Sequence, residues 1–171
     1  MDTDRIREAI ERAIDYLSEN PEEALYTDSP ATATIQGGLR TTVRGSGDES
    51  VITDMPTSVG GGASAPSPGW FLRAAEASCT ATLIAMRAAQ LGMALETIEV
   101  TVDSRSDDRG ILGIDAGVPA GPLATRVAVT IEAPGVSAPE LEALTGWAVE
   151  HCPVTDAVRR AVPLELELTR S

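Results

Sequence analysis

Between Pro68 and Leu91 only Arg73, Glu76 and Arg87 carry charge, and no proline interrupts the run after its first residue. Ser67 stands where a side-chain oxygen can cap free backbone N–H groups, and Pro68 occupies the first helical position, where a missing N–H costs nothing. Gly92 supplies the stop. The stretch therefore predicts a helix of more than twenty residues, with Phe71, Ala75, Cys79 or Ser78, Thr82, Met86, Ala89 and Met93 recurring along one face. A helix so poor in charge is expected to be buried nearly all round, too apolar to leave a broad face open in a monomer, so cover by a second copy in a homodimer is expected. Aromatic residues make up 3% of the chain, so that covering layer must be built from Ala, Val, Leu and Ile.

The flanking segments change period. Ile6, Ala9, Ile10, Ala13, Ile14 and Leu17 predict an amphipathic helix over 4–18, ending before Asn20-Pro21. From Ala31, the β-branched runs ATATIQ, LRTTVRG and ESVITD are separated by Gly37-Gly38 and Gly45-Ser46-Gly47-Asp48, as in a three-stranded meander. Met55 to Pro66, with Gly60-Gly61-Gly62 inside, reads as a loop. Leu95–Ser104 and Ala124–Ala133 alternate as half-buried strands, and the connection between them is expected to hold a short strand at Ile111–Asp115. Ser137-x-x-Glu140 is a capping box opening a helix to about Glu150, a shorter helix runs from Pro153 or Thr155 to Ala161, and LELELT closes with strict alternation. The order is α+β rather than a parallel βαβ series. The division expected is a helical extension over 1–30 and one domain over 31–171.

Charge and cysteine usage narrow the classes. A net charge of −13 without a Lys/Arg cluster argues against nucleic acid or an anionic membrane as partner, since both require phosphate neutralisation. No apolar run reaches the roughly 18 residues of a membrane span, and the N-terminus is charged from residue 2, so a cytoplasmic protein is expected. Two cysteines are too few for a disulfide scaffold. They are either ordinary buried thiols or a redox pair.

Glu76 precedes Cys79 by one helical turn and Arg73 precedes Glu76 by another. A carboxylate and a guanidinium beside a thiol in an apolar helix are costly unless they line a pocket or an interface. The plain alternative is a solvated stripe of Arg73, Glu76, Thr80 and Arg87. Cys152 lies between His151 and Pro153 at a helix junction, where a following helix favours thiolate. His151 and Cys152 point about 100° apart if helical, which suits capping by His151 better than a nucleophile–base dyad. Two Cys and one His without Cys-x-x-Cys spacing make an incomplete metal set, and Gly60–Gly62 lacks the Gly-Lys-Ser/Thr of a phosphate loop. Neither a metal nor a cofactor is expected.

Taken in order, Gly37-Gly38-Leu39-Arg40, Thr53-Asp54-Met55-Pro56 with Gly60-Gly61, Ala65-Pro66-Ser67-Pro68-Gly69-Trp70-Phe71-Leu72-Arg73-Ala74-Ala75-Glu76-Ala77-Ser78-Cys79-Thr80, His151-Cys152-Pro153-Val154-Thr155-Asp156 and Val162-Pro163-Leu164-Glu165 resemble the OsmC/Ohr family of osmotically inducible and organic hydroperoxide resistance proteins. The resemblance covers about Ala31–Arg170. It implies an OsmC-like fold in which two β-sheets surround long central helices in an intertwined homodimer, with two sites at the subunit interface. It also implies that Cys79 is the peroxidatic thiolate, Cys152 the resolving thiol and Arg40 the cation beside them. The substrate would be an organic hydroperoxide, and the reductant an external dithiol or lipoylated protein.

One departure opens an alternative. Peroxidase members carry a glutamate just after the helix-starting proline, or one residue later, where this chain has Gly69 and Trp70. Either Glu76 has taken over, pairing with Arg40 above Cys79, or the chain is a stress-associated or ligand-binding member with little turnover. A Cys79–His151 hydrolase is a third reading, for which no orienting Asp or Asn stands out.

Overall fold

The computed structural model describes residues 3–35 and 37–170. Helix α1 (Thr3–Glu19) is followed by a single 3₁₀ turn at Pro21–Ala24, and then by the strands β1 (Thr32–Ile35), β2 (Thr41–Arg44) and β3 (Ser50–Thr53). These form an antiparallel meander in the order β1-β2-β3, with Val43 opposite both Ala33 and Val51. A loop containing a 3₁₀ turn at Thr57–Val59 leads to α2 (Pro68–Leu91). Strands β4 (Thr97–Arg105) and β5 (Ala124–Glu132) pair antiparallel, α4 (Ala138–Glu150) and α5 (Pro153–Arg159) follow, and the one-turn helix α3 (Asp108–Ile111) lies between the two strands.

Local chemistry sets the ends of α2 as expected. Ser67 Oγ accepts from Trp70 N at 3.3 Å, and Gly92 adopts φ +67°, a left-handed value that closes the helix on the Ala88 and Ala89 carbonyls. At α4, Glu140 Oε2 accepts from both Ser137 N (2.8 Å) and Ser137 Oγ (2.6 Å).

The core lies where α2 crosses α4 and the β4–β5 ribbon. Ile84, Ala88, Leu144 and Ala148 are buried, with Leu83, Ile98, Val100, Val129, Ile131 and Trp147 packed around them. The buried positions of α2 recur every fourth residue as Glu76, Thr80, Ile84 and Ala88, joined by Ala89. This overturns one expectation. Ala75, Ser78 and Thr82 of the predicted face are exposed, and Trp70 and Leu91 stay about half exposed within one chain. In an Ala-rich helix hydropathy barely distinguishes one face from the next, so the partners on α4 and α5 choose the buried one.

Two further expectations are corrected. The predicted strand at Ile111–Asp115 is instead helix α3 and the turn after it, because Asp107 caps the segment through Arg109 N (3.0 Å) and Gly110 packs against Pro119 O too closely for a side chain. The LELELT tail forms no strand among the described residues: Leu164, Leu166 and Leu168 are 89%, 87% and 76% exposed. Alternation specifies a two-faced strand but does not supply the neighbour it must bond to.

Candidate redox site

Cys79, half-buried on α2, and Cys152, fully buried at the start of α5, are 73 positions apart in sequence. Packing of α5 on α2 makes the two thiols neighbours, close enough for each to influence the ionisation of the other. Both are free thiols. Thr155 N donates to Cys152 Sγ at 3.4 Å, and the Thr155 hydroxyl faces Cys152 on one side and Glu76 Oε1, at 3.4 Å, on the other. The Val154 backbone N–H points at Cys79.

The two sulfurs are unequal. Burial opposes ionisation of Cys152, yet the hydroxyl and N–H of Thr155, the Cys79 thiol and the Thr80 hydroxyl together outweigh it and hold its pKa below the usual thiol value. Burial pushes Cys79 up, and proximity to Cys152 adds to that; the Val154 N–H opposes it only in part. The two thiols titrate as a pair, with ionisation favoured at Cys152 and opposed at Cys79.

Glu76 and Thr80 are 1% and 0% exposed, so the solvated-stripe reading is wrong for both. Glu76 Oε2 has no partner, and Thr80 Oγ1 meets no full hydrogen-bond geometry although it faces Cys152. Arg40 does not join them. It lies just before β2, exposed, and its Nη1 donates to Ser64 Oγ at 2.8 Å, so the expected Arg40–Glu76 pair is absent within one chain. The reason is topological: the broad contacts of the meander are among its own strands, and the segment linking it to α2 draws Arg40 toward Ser64.

Ser64 is itself held by Asp54, a 3% exposed carboxylate that accepts from Ser64 Oγ (2.7 Å), Ser64 N (3.0 Å), Met55 N (2.8 Å) and Gly62 N (3.3 Å). The two bonds from Ser64, hydroxyl first, take the Asp54 carboxyl down to about 2. His151 stacks on Trp147 (centroids 4.1 Å apart) with Nδ1 2.8 Å from Trp147 O, and it ends α4 as a cap. The described residues contain no cluster of three or more His, Cys, Asp or Glu suited to a metal. A separate cavity of about 490 Å³ opens at the first turn of α2, walled by Met55, Gly69, Leu72, Arg73, Asp107 and Ile111 and by neither cysteine.

Comparison with known proteins places this geometry. The model of the OsmC-like protein family matches residues 60–167, the stretch that carries α2, both cysteines and α5. The chain belongs to the OsmC-like protein family. Among solved structures, it is similar to an organic hydroperoxide resistance protein OsmC of Legionella pneumophila, described as a predicted redox protein: 26% identity, 79% of this chain, 90% of that one, TM-score 0.59. An OsmC-like protein of Mycoplasma pneumoniae shares the fold at 14% identity, covering 79% and 89% of the two chains, with TM-score 0.67. The organic hydroperoxide resistance protein OhrB of Bacillus subtilis does so at 20% identity, with 84% and 98% covered and TM-score 0.53. No curated protein gave a match. As in the sequence reading, the OsmC-like chain is α+β, with two antiparallel sheets and a long central helix. No helix among its described residues is long and apolar enough to cross a membrane.

Sequence reasoning named the two cysteines and Glu76 but missed Thr155 as their hydrogen-bond partner, and gave Asp54 and Ser64 no role. A signal for Thr155 existed. In Cys152-Pro153-Val154-Thr155 the threonine N–H is third after the N-cap, the position that returns a bond to a capping side chain.

Proposed function

We propose that the protein is a thiol-dependent peroxidase that reduces organic hydroperoxides. The observation that carries this reading is the proximity of two free thiols distant in sequence, one of which favours the anion while the other remains partly open to solvent. Cys79 is the sulfur a peroxide can reach, so it attacks the terminal peroxide oxygen. As it does, its proton passes to the Cys152 thiolate beside it, the O–O bond breaks, and the alkoxide leaves and takes a proton from solvent. Cys79 is now a sulfenic acid. The Cys152 thiol attacks that sulfur, the S–O bond breaks, water leaves with the Cys152 proton, and a disulfide remains. Peroxide has taken two electrons, and an external dithiol or lipoylated protein restores both thiols. Thr155 steadies the Cys152 anion before attack.

The site is complete in a homodimer on this reading. Arg40 sits apart from the thiols of its own chain, and three apolar features lack cover: Trp70 and Leu91 on α2, Ile14 and Leu17 on α1, and the leucines of the tail. A second copy would cover them in an interface larger than about 2,000 Å² and bring its Arg40 to the thiols. Sedimentation of a monomer at micromolar concentration would count against this arrangement.

The deciding measurement is the intact mass after one equivalent of cumene hydroperoxide. The wild type should lose two hydrogens, and Cys152→Ser should stop at sulfenic or sulfinic acid. A wild type that stays reduced would favour the second reading, a ligand-binding member with little turnover. The cavity beside Gly69, which neither cysteine lines, supports that reading.

A further inference from the structure

We propose that Asp54 and Ser64 form a carboxylate–hydroxyl relay that positions Arg40. The inference rests on the reading of Arg40 as the cation that meets the peroxide. Three observations carry it. First, the bonding has a direction. The Ser64 hydroxyl has one hydrogen, and at 2.7 Å from Asp54 Oδ2 that hydrogen is committed to the carboxylate. The lone pairs of Ser64 Oγ are then turned outward, where Arg40 Nη1 donates at 2.8 Å. The Ser64 backbone N–H also bonds Asp54 Oδ2 (3.0 Å), so the residue is gripped at two atoms and cannot swing.

Second, the glycine loop is built around Asp54. Gly62 N and Met55 N both donate to Asp54 Oδ1. A side chain on Gly61 would place its Cβ 1.9 Å from Met55 O, and Gly60 turns the chain with φ +88°. Gly60-Gly61-Gly62 is thus a cradle for the protein's own carboxylate. Third, Asp54 is 3% exposed whereas Arg40 is exposed, so the fixed end of the relay is buried and the working end faces outward.

The relay differs chemically from a direct Arg–carboxylate pair. A carboxylate in contact would occupy two guanidinium donors and offset the positive charge. A neutral hydroxyl engages one donor, leaving the rest of the fork for a ligand, while the negative charge stays one residue removed. Ser64 and Asp54 are therefore positioning residues that act through Arg40.

The test uses the full chain and stopped-flow loss of free thiol with cumene hydroperoxide, at saturating and limiting peroxide, with thermal unfolding recorded for every variant. Ser64→Ala is the principal variant, because Asp54→Asn empties the centre of the loop and is the more exposed to misfolding. Ser64→Ala and Arg40→Ala should each slow thiol loss about 10- to 100-fold, as expected for about 1.4–2.7 kcal/mol of transition-state stabilisation. The double variant should be no slower than Arg40→Ala, since residues acting through one group do not add. Ser64→Thr, which keeps the hydroxyl, should restore most of the rate. Additive losses, or a Ser64→Ala variant at wild-type rate beside a slow Arg40→Ala, would overturn the relay and leave the role of Arg40 standing. An unchanged Arg40→Ala would remove that role and the relay with it. A wild type that consumes no peroxide would instead reject the peroxidase reading.

Discussion

Replacing Glu76 by methionine should make the protein more stable. Glu76 is 1% exposed, its Oε2 has no partner, and its Oε1 receives a single bond of 3.4 Å, longer than a well-formed O–H···O contact. A buried oxygen without a partner costs about 1–3 kcal/mol, and the stretched bond returns only about 0.5 kcal/mol. Methionine is close to glutamate in length, suits a helix interior and carries no charged group to desolvate. The Thr155 hydroxyl is not stranded by the change, because it also faces Cys152. Glu76→Met should therefore raise the unfolding free energy by about 0.5–2.5 kcal/mol, or the midpoint by about 2–4 °C for each kcal/mol in a chain of this size. Urea unfolding followed by far-UV circular dichroism, at one protein concentration and pH 7, measures it; the slopes must agree before the difference is read as stability. A variant destabilised by more than about 1 kcal/mol would refute the argument, because it would mean the carboxylate is satisfied in the working assembly, by a donor from a second copy.

Three other perturbations follow from the same contacts. Thr155→Val removes the hydroxyl that faces Cys152; thiolate absorbance at 240 nm should show the first ionisation of the thiol pair moving to higher pH, with less thiolate and slower turnover at pH 7, and Thr155→Ser should reverse both. Asp54 ionises at about 2 in the folded chain against an ordinary 3.8, so its carboxylate stabilises the fold above the unfolded value, and that contribution disappears as pH falls through about 2. The stability gap between wild type and Asp54→Asn should accordingly be widest at neutral pH and close on acidification, as followed by urea titrations at stepped pH. Gly61→Ala drives a methyl group into the Met55 carbonyl and should destabilise the protein by about 1–3 kcal/mol, whereas Gly121→Ala, with open space at its Cβ, should fall within about 0.5 kcal/mol.

Local order was legible from residue types because it depends on neighbours in sequence. Ser67-Pro68 and Gly92 bound α2, Ser137 and Glu140 open α4, and alternation marks β4 and β5, each through bonds or steric limits that act within four or five residues. Motif order was legible too, which is why the family could be read from segments scattered between Gly37 and Glu165. The face α2 would bury was not, since alanine and serine differ little in transfer free energy and the choice falls to whatever α4 and α5 press against it. Nor was the fate of Arg40. A guanidinium pairs with the nearest acceptor that the backbone path presents, and that path is set by the turn from β3 through Gly62, which carries Ser64 to it. Composition could suggest that two thiols form a redox pair. Only the packing of α5 on α2 decided that they meet, and that Thr155 reaches Glu76, because contacts between residues more than seventy positions apart exist only once the chain has folded.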